Sequence, residues 1–183
     1  MKRIVLRYGL ASGVILLAIA AVLLPLGLNG TIGFDQGELV GFSTMVLAFL
    51  MVFFGIRSYR DNVAGGVVGF GKAFQVGILI TLITCAFYVV TWEIAYFNFF
   101  PDFLDKYSAH TLAKMHADGE SEAAIQKAAA DMASLAKVYD NVFINSAITF
   151  LEIFPVGLIM TLVSAGILRR KPRQEETGAV VAA

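Results

Sequence analysis

The chain has 183 residues, of which 58% are hydrophobic and 15% charged, and its formal net charge is zero. Soluble domains carry roughly 45–50% apolar and about 25% charged residues. With a mean hydropathy of +0.75, this chain has more apolar surface than a soluble fold of its size hides, so lipid is the expected solvent. The neutral balance points to no charged partner, nucleic acid included, and the lone cysteine, Cys85, rules out a disulfide within the chain.

A spanning helix needs about 20 apolar residues, because the hydrocarbon core is about 30 Å thick and a helix rises about 1.5 Å per residue. The first such run covers residues 9–28 and carries no charge. Met1, Lys2 and Arg3 make a basic start of the kind a secretory leader has. The run outlasts a leader's apolar region, however, and no A-x-A cleavage pattern follows it, so it reads as a span. The second run, residues 39–56, is also uncharged. Gly9 and Gly13 in the first, and Gly37 and Gly41 around the second, have the small-xxx-small spacing that permits close helix packing within a chain or between subunits.

The connection that follows holds Arg57, Tyr59, Arg60, Asp61 and Lys72. Residues 66–72 spell GxxxxGK, but Ala73 stands where a magnesium-binding Ser or Thr belongs, and no strand precedes the loop. A phosphate cradle needs the strand–loop–helix context. The segment reads as a glycine turn at the membrane surface, with Lys72 reaching lipid headgroups.

The third run covers residues 73–92 and continues past Glu93 to Phe100. Gly77, Thr81, Thr84, Tyr88 and Thr91 share one face of it. Glu93 lies beside Trp92 and Tyr96, near the outer interface, and reads as an acid snorkelling to water away from the threonine stripe.

Residues 101–141 are too polar to span and read as two helices. Pro101 and Asp102 start the first. Asp118 and Gly119 break it, and Ser121 caps the second. In the second, Ile125, Ala128, Met132, Leu135 and Tyr139 recur at three- and four-residue spacing, which makes one apolar stripe. Phe103, Leu104, Tyr107 and Met115 of the first helix are the nearest cover for it. An external helical hairpin capping the bundle is the expectation; a docking face for a partner protein is the sharper alternative. His110 and His116 are the only histidines and make no metal site without further ligands.

The fourth run, residues 142–168, is interrupted only by Glu152. An ionised carboxylate at that depth costs at least about 2.5 kcal/mol, so it must be protonated, paired or wetted. Asn145, Thr149 and Glu152 fall on one helix face, with Asn141 just outside, forming a polar stripe from the outer surface to mid-membrane. Pro155 cannot donate a backbone hydrogen bond and is expected to kink the helix nearby. Thr81, Thr84 and Tyr88 of the third run are the candidate partners for Glu152 across a helix interface. Two readings stay open: interhelical polar glue, or an intramembrane carboxylate that binds a proton, ion or small ligand.

Ten basic residues lie at the N-terminus, in the second connection and at the C-terminus, all on one side of a four-span arrangement. The opposite side has the connection over residues 29–38, without a basic residue, and the 101–141 segment, with four lysines against seven acids. The positive-inside rule places both termini in the cytoplasm. The fold class expected is all-α: a four-transmembrane-helix bundle over residues 1–171, with the hairpin between its third and fourth spans outside, and a disordered cytoplasmic tail over residues 172–183.

Several segments in order carry a resemblance. They are Phe53 to Asp61 (FFGIRSYRD), Phe70 to Phe74 (FGKAF), Pro101 to Phe103 with Lys106 and Tyr107, and Phe150 to Gly157 (FLEIFPVG). Together they resemble a bacterial membrane family catalogued as a domain of unknown function, number 4199, over nearly the whole chain. The resemblance implies a multi-pass protein of four helices in the bacterial inner membrane, and no activity. No nucleophile–base pair, metal-ligand cluster or cofactor motif appears, which leans against an enzyme and gives no catalytic, metal or cofactor residue. The favoured function is an accessory or assembly protein that binds another membrane protein or itself, with membrane lipids as its constant partners. The alternative is binding or conduction of a small solute, proton or lipid through the polar stripe ending at Glu152.

Overall fold

The computed structural model describes residues 1–28 and 31–170; the expected tail over 172–183 lies outside the described residues. Six helices follow one another: α1 (Lys2–Leu28), α2 (Phe34–Asn62), α3 (Phe70–Phe99), α4 (Phe103–Ala117), α5 (Glu122–Tyr139) and α6 (Val142–Leu168). Four of them, α1, α2, α3 and α6, are long and apolar enough to cross a membrane. Among the described residues the only β pairing is an isolated bridge between Val68 and Arg170.

The connections follow local chemistry. Asp35 in the first turn of α2 and Arg60 in its last match the helix dipole. The turn from α2 to α3 passes through Gly65 and Gly66 at φ +62° and +84°, a region L side chains rarely adopt. There the amide of Arg170 donates to the Val68 carbonyl at 2.9 Å, tying this turn to the end of α6. Lys72 bonds Gln75 one turn on, at 2.9 Å. As the sequence predicts, Gly119, at φ +76°, breaks the chain between α4 and α5, and the Ser121 hydroxyl caps α5 by accepting from the Ala124 amide. Asn141 is the N-cap of α6, accepting from the amides of Phe143 and Ile144. Its polarity therefore starts a helix instead of extending the stripe.

Glycines let the four long helices approach closely. Gly9 and Gly13 of α1 lie against Ile83 and Phe87 of α3. Gly55 of α2 meets Ile80 and Tyr8, Gly77 of α3 meets Thr161, Ile56 and Val52, and Gly157 of α6 meets Thr81 and Phe49. The small-xxx-small pair at Gly9 and Gly13 is therefore spent on packing within the chain. Gly41 has nothing within 4 Å of where a Cβ would stand.

Burial is uneven along the bundle. The main core, with Val5, Phe49, Val52, Ile56, Val76, Ile80, Cys85, Ile153 and Ala165, fills the half towards the chain termini. Towards the α4–α5 end, α3 and α6 continue to bury side chains. Among the described residues, none of α1 beyond Leu16 and none of α2 before Ala48 is buried. The α4–α5 pair packs on itself and reaches the bundle through few contacts. Tyr139 stacks edge-on against Tyr96 at 5.7 Å. Phe34, at the start of α2, packs against Phe103, Tyr107 and His110. Phe103 and Tyr107, expected to cover α5, also pack against the Phe34 ring of α2. Leu135, placed in the α5 stripe by its spacing, is exposed. Next to the ring cluster, Asp35 accepts from Lys114 at 3.1 Å and lies 3.4 Å from His110 Nε2.

Candidate functional site

The polar residues of α6 divide between two environments. Asn145 and Thr149 are buried, whereas Glu152 is exposed on the surface of the chain. The cause is helical geometry. The buried line of α6 runs through Asn145, Thr149, Ile153, Gly157, Thr161 and Ala165, in steps of four. Each step overshoots a full turn by about 40°, so the line winds around the helix. Glu152 stands one residue short of buried Ile153, about 100° away from it, on the flank of the interface.

Asn145 is the hub of a closed hydrogen-bond set. Its Oδ1 accepts from the Trp92 indole N–H at 3.2 Å and from the Thr149 hydroxyl at 3.2 Å. Its Nδ2 donates to the Tyr139 carbonyl at 3.3 Å. One side chain thus joins α3, α5 and α6. Sequence reasoning placed Asn145 and Thr149 in a stripe leading to Glu152; here they bond each other and their neighbours, and Glu152 stands apart.

The threonines of α3 are also committed elsewhere. Thr81 bonds the Thr161 hydroxyl at 2.9 Å and donates to the Gly157 carbonyl at 3.3 Å. Both partners lie a turn or more beyond Glu152 towards the termini. Thr84 donates to the Ile80 carbonyl of its own helix at 3.0 Å. Neither hydroxyl bonds Glu152. Tyr88, half-buried on the same helix, is within electrostatic reach of the carboxylate, as is Tyr139. Burial pushes the Tyr139 phenol up to about 12, and the Glu152 charge adds to that push. Among the described residues, Glu152 has no hydrogen-bond or ion-pair partner.

Glu93 departs from its sequence reading. It is half-buried; its Oε1 accepts from the Ser146 hydroxyl of α6 at 2.9 Å, and its Oε2 is buried without a partner. It is a polar contact between α3 and α6, not a snorkelling acid. The signal was present in depth. Trp92 and Glu93 face Asn145 and Ser146 while Thr81 faces Gly157, so residue numbers rise on one helix as they fall on the other, as antiparallel neighbours at matched depth must.

The architecture is therefore all-helical, with four membrane-capable helices and two polar foci near the α4–α5 end, and its apolar surfaces are those of a membrane protein. The family model described as protein of unknown function (DUF4199) matches residues 7–170, and the chain belongs to this family. No curated protein and no solved structure matches it.

Proposed function

We propose that the chain is a non-enzymatic accessory or assembly protein of the bacterial inner membrane that binds another membrane protein or a second copy of itself. Both termini are taken as cytoplasmic and the α4–α5 pair as external, on the distribution of Lys and Arg. The observation that carries the function is Glu152: a carboxylate near the middle of an apolar helix, exposed and without a hydrogen-bond partner among the described residues. Leaving it against lipid costs at least about 2.5 kcal/mol, and a polar group from a partner helix removes that cost. The outer halves of α1 and α2, which bury no described side chain, supply apolar area for the same contact.

The test is native mass spectrometry of protein extracted gently from its own membrane, with Glu152→Gln alongside. A second protein or a defined multiple of the chain that stays bound, and loosens in the variant, supports the reading. A lone chain in both samples overturns it.

A second reading is favoured by Tyr88 and Tyr139, which lie within electrostatic reach of the same carboxylate. A carboxylate within electrostatic reach of two phenols suits a small cationic solute or a transferred proton. It predicts that Tyr88→Phe and Glu152→Gln abolish binding or proton movement in reconstituted vesicles while the oligomeric state is unchanged.

A further inference from the structure

On the flank of α6 away from Glu152, α3 and α6 border a shallow, open groove of about 470 Å³. Its walls include Ala86 and Val90 of α3 and Phe143, Ala147 and Phe150 of α6, and the polar side chain in its lining is Ser146. The Ser146 hydroxyl has one proton, and it is spent on Glu93 Oε1 at 2.9 Å. Towards the groove, Ser146 Oγ can therefore only accept. Among the described residues the carboxylate behind it has no other hydrogen bond, Oε2 being buried and unpartnered, so the Ser146 proton stays with Glu93 and the acceptor side is left to the groove. The groove presents an apolar trough headed by an acceptor that asks for a hydrogen-bond donor.

Depth narrows the donor. Ser146 lies nine residues from Pro155, the middle of α6, a rise of about 13 Å. The hydrocarbon half-thickness is about 15 Å, so with the middle of α6 set at the bilayer centre the acceptor falls just inside the hydrocarbon edge of the leaflet on the α4–α5 side. Phosphate headgroups lie farther out, and a phosphodiester drawn in to this level has no proton to give to Ser146 Oγ. A free hydroxyl at the junction of head and chain fits both the depth and the hydrogen-bond sense.

We infer that this groove binds a neutral lipid alcohol of the diacylglycerol type. The lipid hydroxyl donates to Ser146 Oγ, and one acyl chain lies between Ala86 and Val90 on one side and Phe143, Ala147 and Phe150 on the other. The chain carries its own reporter, because Trp92 is the sole tryptophan and adjoins Glu93 in α3.

The experiment uses the full chain in phosphatidylcholine vesicles, whose headgroups lack O–H and N–H donors. Diacylglycerol brominated on its acyl chains is titrated in at a few mole per cent, and Trp92 quenching is read against phosphatidylcholine with the same brominated chains. The expected result is half-maximal quenching by the diacylglycerol at a roughly ten-fold lower mole fraction, as one added hydrogen bond gives. Ser146→Ala should erase that preference. Ala147→Phe, which fills the trough, should erase it too. Ala86→Phe does the same from the opposite wall and keeps the test valid if one variant misfolds. Equal quenching by the two brominated lipids, or a preference that survives Ser146→Ala and a filled trough, overturns the proposal.

Discussion

Gly157→Ala is the most direct test of how the bundle holds together. A Cβ at this position would stand 2.5 Å from Thr81 Cγ2 and 2.7 Å from the Phe49 ring. Both distances lie far inside van der Waals contact. Phe49 and Thr81 are fully buried, so neither can swing aside, and α6 must move away from α2 and α3. Overpacking a closed core costs about 1–3 kcal/mol. The displacement also stretches the bonds from Thr81 to the Gly157 carbonyl and to Thr161, at about 0.6 kcal/mol each in a membrane interior. The expected loss is about 2–4 kcal/mol. Gly166→Ala is the matched control on the same helix: nothing lies within 4 Å of its Cβ position. Its change should be neutral, or a gain of up to about 1 kcal/mol in helix propensity. Both variants are unfolded in mixed micelles by raising the fraction of sodium dodecyl sulfate, with circular dichroism and Trp92 fluorescence as probes. Phe49→Leu combined with Gly157→Ala should recover part of the loss, because the clashing ring is gone. If Gly157→Ala and Gly166→Ala agree within about 0.5 kcal/mol, close helix contact at Gly157 does not hold this bundle.

Asn145→Ala should cost about 2–3 kcal/mol in the same unfolding assay, since it leaves the Trp92 indole N–H and the Tyr139 carbonyl without their partner. Thr81→Val keeps shape but removes both bonds to α6, and should cost about 1–2 kcal/mol. Phe34→Ala and Asp35→Asn should each loosen α4 from α2, read as faster amide exchange across α4 with the exchange of α3 and α6 unchanged. The Asp35 effect should fade in high salt, because its ion pair with Lys114 is exposed, whereas the Phe34 effect should not.

The elements were largely legible in the sequence, and the facing of the helices was not. Apolar runs of spanning length, the break at Gly119 and the cap at Ser121 are local signals, and each is found where the chain needs it. Facing is harder for helices that are apolar all round, because lipid and protein interior ask for the same side chains. Glu93 shows the consequence: it lies off the threonine stripe of α3, yet it faces Ser146 of α6 and not water. Its true neighbour, Ser146, is found by matching depth between antiparallel helices.

Glu152 shows a second limit. A seven-residue spacing puts it on the face of Asn145 in a straight projection. The interface of α6 follows steps of four and winds away from that face, so the projection fails within two turns. The same winding gives α6 its two polar foci. Residues on the winding line become internal glue, as Asn145, Thr149 and Thr161 do. A residue that falls off one flank, Glu152, is left without a hydrogen-bond or ion-pair partner among the described residues. On the other flank, Ser146 is held by Glu93 with its lone pairs turned to a lipid-sized groove. Helical glue and ligand-facing polarity thus differ here by about 100° of rotation, one residue, on the same helix.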